Sequence, residues 1–460
     1  MLPGRFIERI REQPYLNAGS LIEALEKPSV ACIRTNPLKW DHIPADSTRV
    51  PWCLTGWCLD ARPSYTLDPL FHAGCYYPQE SSSMFLEEVF RQLLNGRKGL
   101  RILDLCGAPG GKATHLSSLA GEEGLVVANE VIRSRASVLA ENISKWGSSN
   151  TLVTNSDPSD FNRLPGFFDV ILADAPCSGE GMFRDPVAIA EWSVENTAHC
   201  SERQKRILAD VWDSLKEGGL LIYSTCTFNP AENEMNIKWL TENLDAESLD
   251  IDISAFPGIT EIKYHGVTGY GFYPGKINGE GLFMSVAVKK GATPDSPGRG
   301  KNPKNDKKPG RAESAAISNW LKGDADNLVM YGDNIIRIPC DNETYNSLRE
   351  ALRFHRAGTL ICTVKRDSYI PSHELALSAS LNKNAFEKAE VSYETAMSYL
   401  RRDNLQIGDA PHGWFLVSYR GINLGFANNL GKRINNYYPV EWRVRMRGPG
   451  ESGGPVPLTW

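Results

Sequence analysis

The sequence predicts an α/β protein centred on a doubly wound, Rossmann-like parallel sheet with an α+β extension on either side. Three observations predict it. Between residues 100 and 288, short aliphatic runs alternate with helix-period segments, the pattern of parallel strands joined by crossover helices. The first run empties into a glycine-rich turn, LDLCGAPGGK, at the end of a strand where such sheets hold ligands. The chain has 460 residues, 41% apolar and 23% charged, which suits roughly two to four domains and excludes collagen-like, coiled-coil or wholly disordered architecture.

Taken in order, residues 1–95 form a partly helical extension with little periodic sheet signal. Strands are predicted at 100–105, 125–129, 151–154, 169–173, 220–224 and 283–288. Helices are predicted at 111–119, 133–146 and 188–215. Together these define a central domain over residues 96–290. Residues 291–313 are rich in Pro, Gly and Lys and have no aliphatic side chain to bury, so they read as a basic linker in which Lys301, Lys304, Lys307 and Lys308 either stay solvated or attract phosphate. Beyond it, NIIRIP and GTLICTV fall in an intermediate unit, 314–382, and GWFLVSY and INLGFA in a last unit, 383–460, of α+β character.

Fifty basic against 55 acidic side chains give a net charge of −5, so any binding to a polyanion is local. The ten cysteines are dispersed and form no CxxC pair, which points to reduced thiols and a cytoplasmic setting rather than a disulfide scaffold or zinc ribbon. MLPGRFIERIREQ lacks the apolar stretch of a signal peptide, and no run reaches the ~18 apolar residues of a membrane span. The eight histidines form no HxxxH pair and have no cysteine at ligand spacing, so no metal site is expected, and His115 reads as helix surface or packing.

The strand ends carry the chemistry. Asp104, Cys106, Gly107, Pro109, Gly110 and Gly111 lie at a turn into a helix where small residues let the backbone approach a ligand. The second strand ends at Glu130, placed to accept hydrogen bonds from ribose hydroxyls. The spacing is not GxGxxG, and Pro109 removes a backbone donor, which argues for a nucleoside cofactor other than NAD. Asp157 follows the third strand. DVILADAPCSGEG sets Asp174, Pro176 and Cys177 after the fourth, and GLLIYSTCTFNPAENE sets Thr225 and Cys226 after the fifth. A lone cysteine is usually a small buried apolar group. Two on adjacent strand ends beside an acid are candidate nucleophiles, if their pKa falls below about 8.5.

GAPGGK, ADAPCSGEG and YSTCTFNPAENE, in this order, resemble the NOL/NOP/Sun family of RNA cytosine-5 methyltransferases. GCYYPQESSSM and GFYPGKINGEGLF extend the resemblance over residues 74–288. RAGTLICTVKRDSYIPSHELAL and LGFANNLGKRINNYYPVEWR resemble the C-terminal part of the bacterial ribosomal small-subunit methyltransferase F group. The resemblance implies a class I methyltransferase domain, S-adenosyl-L-methionine as cofactor, and structured RNA, ribosomal RNA or the small ribosomal subunit, as partner of a monomer. It implies that Cys106, Gly107, Ala108, Pro109, Gly110, Gly111 and Lys112 line the methionine and ribose end of the cofactor, that Glu130 holds the ribose and that Asp157 meets the adenine. It assigns Cys226 as nucleophile, Cys177 to product release and Asp174 to the target base. Gly271 and Gly275 depart from the family, which often has Arg and His there.

Carbon 5 of cytosine is a poor nucleophile, and a thiolate adding to carbon 6 supplies the missing electron density through a covalent intermediate. Asp174 acting as a donor to the ring would have to be protonated. The target must leave its stack. The tail GKRINNYYPVEWRVRMR, with Lys432, Arg433, Arg443, Arg445 and Arg447 among Tyr437, Tyr438 and Trp442, looks like a PUA-type RNA-binding module or, equally, a half-buried strand. RTNPLK, residues 34–39, reads either as an RNA contact or as a charged turn. An exocyclic-amino methyltransferase would want an aromatic residue where Cys177 stands, and a DNA cytosine methyltransferase leaves the Thr225–Cys226 pair unexplained. Transfer RNA as substrate, or a ribosome-assembly factor with secondary methylation activity, stays open at this level.

Overall fold

The computed structural model describes residues 2–292, 307–323, 327–366, 368–446 and 457–460. Lys301 and Lys304 of the expected linker, and Arg447 of the tail, lie outside the described residues.

A ten-stranded sheet forms the centre. Five parallel strands stand in the spatial order Leu215–Thr225, Phe168–Asp174, Arg101–Asp104, Leu125–Asn129, Thr151–Thr154. Their middles are closed to solvent (Ile102, Leu103, Val126, Val127, Ile171, Leu172, Leu221, Ile222), as expected of strands covered on both faces. Strand order reverses between Arg101–Asp104 and Phe168–Asp174, so a crevice opens beyond their carboxyl ends. Three antiparallel strands, Leu282–Lys289, Val267–Phe272 and Thr260–Tyr264, continue one edge, and Ala246–Leu249 also pairs with Leu282–Lys289.

The predicted helix over 188–215 is two helices, Pro186–Glu191 and Val194–Trp212. Trp192 is extended, and Ser193 caps the second helix by accepting from Asn196 N. The predicted strand 220–224 begins earlier, at Leu215. At the far edge Phe354–Arg356 pairs antiparallel with Thr151–Thr154, so the intermediate unit lends a strand to the central sheet. Three residues are too few to show a period.

The N-terminal extension contains a four-stranded antiparallel sheet in the order Ser47–Arg49, Gly56–Leu59, Ala31–Thr35, Tyr76–Pro78. Its two central strands are buried along their whole length, so no polar alternation marks them in the sequence. Here the reduced-thiol expectation is corrected for two of the ten cysteines; the other eight are free. Cys32 lies opposite Cys58 in the strand register, with Cα atoms 4.0 Å apart, and the two form a disulfide. Their 26-residue separation conceals this juxtaposition.

In RTNPLK the two basic side chains serve internal contacts. Arg34 is 1% exposed, donates to Gln79 Oε1 (2.9 Å) and Thr114 Oγ1 (2.6 Å), and lies over the Trp146 ring. Lys39 Nζ donates to Ala73 O and Lys145 O. These groups fasten the N-terminal sheet to the helices Gly111–Ala120 and Arg133–Trp146. Burial lowers Arg34 to about 10 and Lys39 to about 8.

Two further four-stranded sheets follow, one over residues 328–371 and one over 388–436. The last docks on the N-terminal extension, where Tyr76 meets Trp460 (ring centroids 5.4 Å apart) and Tyr393 Oη donates to Leu67 O. In the basic tail Tyr438 is fully buried against Tyr399 and His373, and Tyr437 stacks on Trp414. Tyr438 is core and Tyr437 partly buried, whereas Lys432, Arg433, Arg443 and Arg445 are exposed. Among the described residues no helix is long and apolar enough to cross a membrane.

Candidate active site

The parallel strands deliver the expected side chains to the crevice. Asp104 ends its strand fully buried, and neither carboxylate oxygen has a hydrogen-bond partner. Burial, reinforced by the charge of Asp174, raises it to about 8. After it the loop turns into the helix Gly111–Ala120 through Gly110, whose φ of +124° suits glycine. A Cβ on Gly107 would sit 3.2 Å from Asp104 Oδ2. The loop is fixed from outside: Gly107 N donates to Asn129 O (2.7 Å), Arg135 to Ala108 O (3.0 Å) and Asn142 to Pro109 O (2.8 Å). Burial pushes the Cys106 thiol upward.

Glu130 is 3% exposed, accepts from Ile132 N and pairs with Arg135 at 3.3 Å. Asp157 is exposed and caps the short helix Pro158–Arg163, accepting from Ser159 N (3.0 Å) and Oγ (2.7 Å); those bonds lower its pKa. A buried acid with unpaired oxygens, a loop in which a Cβ would crowd that acid, and carboxylates at the next two strand ends suit a nucleoside bearing a positive centre.

Asp174 ends the adjoining strand. Oδ2 accepts from Lys112 Nζ (2.9 Å) and Oδ1 from Ser224 Oγ (2.7 Å). Both oxygens accept in this arrangement, one from Lys112 and one from Ser224. Next to it, Cys177 Sγ lies 3.1 Å from Cys226 Sγ. The hydrogen bond to Cys226, then burial, then the charges of Cys226 and Glu232, push the Cys177 thiol well up.

The loops that bear these thiols are tied together by residues the sequence reading passed over. Glu232, 0% exposed, accepts from Ser178 Oγ (2.5 Å), Ser178 N (2.9 Å) and Gln204 Nε2 (3.0 Å). Thr225 Oγ1 donates to Asn233 Oδ1, and Asn233 Nδ2 donates to Thr227 O. Glu232 and Asn233 lie inside PAENE, and that acidic, amide-rich cluster after the Thr-Cys pair was the signal available. The N-terminal helix Gly4–Glu12 closes the floor. Arg9 pairs with buried Glu180 at 2.5 Å, and Arg9 and Gln13 both donate to Phe228 O.

At Gly271 a Cβ would strike the Tyr273 ring, which packs on Phe228. An aromatic wall therefore occupies the place where a basic loop was sought. His115 is buried, not on the helix surface, and shares Glu87 Oε2 with Cys53: His115 Nε2 is 3.3 Å and Cys53 Sγ 3.0 Å away. Spacing along the chain did not foresee this Cys53–Glu87–His115 cluster. Burial, and then Arg34, lower His115 to about 4.

The family described as 16S rRNA methyltransferase RsmB/F matches residues 91–287; the N-terminal domain of 16S rRNA methyltransferase RsmF matches 2–81, and the methyltransferase RsmF PUA domain 386–444. The Rossmann-like domain and its strand-end crevice are thus those of an S-adenosylmethionine-dependent RNA methyltransferase, with a PUA domain at the C-terminal side. Ribosomal RNA small subunit methyltransferase F of Enterobacter sp. (strain 638) is 32% identical over 478 residues, covering 95% of each chain. That of Escherichia coli (strain K12) is 32% identical over 474 residues, covering 95% of this chain and 96% of the relative. The chain belongs to the ribosomal RNA small subunit methyltransferase F family. NSun6 from Pyrococcus horikoshii, solved with SFG, shares the fold at TM-score 0.52 and 20% identity over 63% of this chain and 98% of that one.

Proposed function

We propose that this chain methylates carbon 5 of cytosine in 16S ribosomal RNA, with Cys226 as nucleophile, Cys177 acting in product release and Asp174 holding the base. The observation that carries the reading is the 3.1 Å approach of Cys177 and Cys226 at adjacent strand ends beside Asp174. When bound, S-adenosylmethionine supplies an electrophilic methyl group. Cys106, Gly107, Ala108, Pro109, Gly110, Gly111 and Lys112 with Glu130 and Asp157 are the residues that would hold it.

In the resting site the two sulfurs share a hydrogen bond, and Cys226 reacts as the thiolate. Cys226 adds to carbon 6 of a cytosine turned out of its stack, forming a C–S bond and pushing an electron pair toward carbon 5. Asp174, an acceptor fixed by Lys112 and Ser224, receives the exocyclic amino group and orients the ring. Once Cys226 is a thioether, the largest influence holding the proton on Cys177 is gone. Cys177 then gives its proton to solvent and, as the thiolate, takes the carbon 5 proton of the methylated ring. The electron pair of that C–H bond restores the 5,6 double bond and expels Cys226 as thiolate.

A ribosomal RNA substrate supports a cytoplasmic location, and we read the chain as a monomer. In this reading residues 1–95 are an N-terminal RNA-binding and entry region, 96–290 the methyltransferase domain, 291–313 a basic linker, 314–382 an intermediate unit and 383–460 the PUA-like RNA-binding unit. Exposed Lys432, Arg433, Arg443 and Arg445 support phosphate contact there. The test is labelled S-adenosylmethionine with 16S RNA, assembled small subunits and transfer RNA, followed by nucleoside analysis. Label in 5-methylcytidine from ribosomal substrate alone is expected; label in another nucleoside, or in transfer RNA alone, contradicts the reading.

A further inference from the structure

We propose that Glu232 is a positioning residue for product release: it holds the Pro176–Ser178 turn so that Cys177 faces both Cys226 and the methylated base. The inference rests on the covalent reading given above. Its basis is a buried network that leaves Cys177 little freedom. Glu232 grips Ser178 through both backbone N and side-chain Oγ, and Gln204 Nε2 bridges Glu232 Oε2 and Pro176 O (2.9 Å). Cys177 is therefore held on each side by groups that converge on one carboxylate.

The same carboxylate reaches the other loop. Ser178 Oγ lies 3.0 Å from Thr227 Oγ1, next to Cys226, and Tyr223 Oη, on the strand leading to Cys226, donates to Glu232 O (2.6 Å). Gln204 is held in turn: its Oε1 accepts from Asn236 Nδ2 (2.7 Å) and lies 3.1 Å from Tyr223 Oη. Three neutral donors surround the Glu232 carboxylate. A carboxylate that is 0% exposed and bonded in this way is costly merely as filling. What it supplies is a fixed geometry for Cys177 and a negative charge near its sulfur.

Glu232→Gln keeps the shape and removes the charge. In single-turnover, rapid-quench experiments across pH, denaturing gels give the rates at which the protein–RNA adduct forms and decays. The expected result is near-normal adduct formation with a limiting decay rate about tenfold lower, a fraction of what acid–base catalysis supplies. The pH midpoint of decay should move to lower pH, because a negative charge that kept the proton on Cys177 has been removed. Ser178→Ala, which leaves Glu232 two of its donors, should reproduce the slower decay in a chain of near-native stability. Decay rate and midpoint as in wild type would overturn the proposal, and so would equal losses in formation and decay with an unmoved midpoint. Absence of any adduct in wild type and in Cys177→Ala would instead refute the covalent reading beneath it.

Discussion

Cys177 and Cys226 meet sulfur to sulfur at 3.1 Å in a shared hydrogen bond. That hydrogen bond is the largest influence pushing the Cys177 thiol up. Replacing Cys226 by Ala should therefore lower the pKa of Cys177 and speed its alkylation by iodoacetamide at pH 8, read by peptide mass spectrometry. In the wild-type chain Cys226 should be the first of the pair to react. Equal Cys177 reactivity in both chains would show that the two sulfurs do not share a proton.

Lys112 fixes Asp174 from the cofactor-loop helix. Lys112→Met removes that hold and leaves Ser224 as the remaining donor to Asp174. We expect kcat/KM to fall about a hundredfold, as for loss of one preorganised electrostatic contact, with the far-UV circular dichroism spectrum unchanged. Steady-state methylation kinetics check it.

Arg34 bonds to Gln79 and Thr114 and covers Trp146 in the interior. Arg34→Met should cost about 3 kcal/mol of stability, because buried partners of a charged group are left unpaired. Urea unfolding measures this. A loss of RNA affinity without a loss of stability would restore the RNA-contact reading of RTNPLK.

Buried histidines make the fold acid-sensitive. Burial, and then Lys145, lower His72 and His373 to about 3, and His115 is lowered to about 4. Each stays neutral in the fold but titrates near 6.5 when unfolded. Their contribution is present above pH 6.5 and is lost as pH falls toward 4, since the unfolded chain then binds more protons. Both ring nitrogens of His373 are enclosed without partners. His373→Phe should therefore flatten the stability profile between pH 6 and 4 by up to about 1.4 kcal/mol per pH unit. An unchanged slope would mean that His373 is charged in the fold.

The central domain was legible because apolar runs with both faces covered, separated by amphipathic helices, leave a strong signal; the strands 125–129 and 151–154 were predicted to the residue. Short elements outside that alternation left none. Phe354–Arg356 and the N-terminal sheet are too short or too evenly buried for a period to show. The catalytic candidates stood at strand ends, where topology alone brings them together. Their supports did not. Arg9 reaches Glu180, Arg34 reaches Thr114 and Cys32 reaches Cys58 across long stretches of chain, and pairings of that kind depend on register and docking rather than on local pattern. Tyr438, too, looked like a stacking surface beside its arginines but is core, because tertiary packing and not composition decides which face an aromatic ring presents.

The most direct test of the account is the protein–RNA adduct in Cys177→Ala. Incubated with 16S RNA or small subunits and S-adenosylmethionine, this variant should accumulate a denaturant-resistant complex carrying methylated cytosine, and Cys177→Ala/Cys226→Ala should form none. An adduct that persists in the double variant, or full methylation by Cys226→Ala, would contradict the assignment of Cys226 as nucleophile.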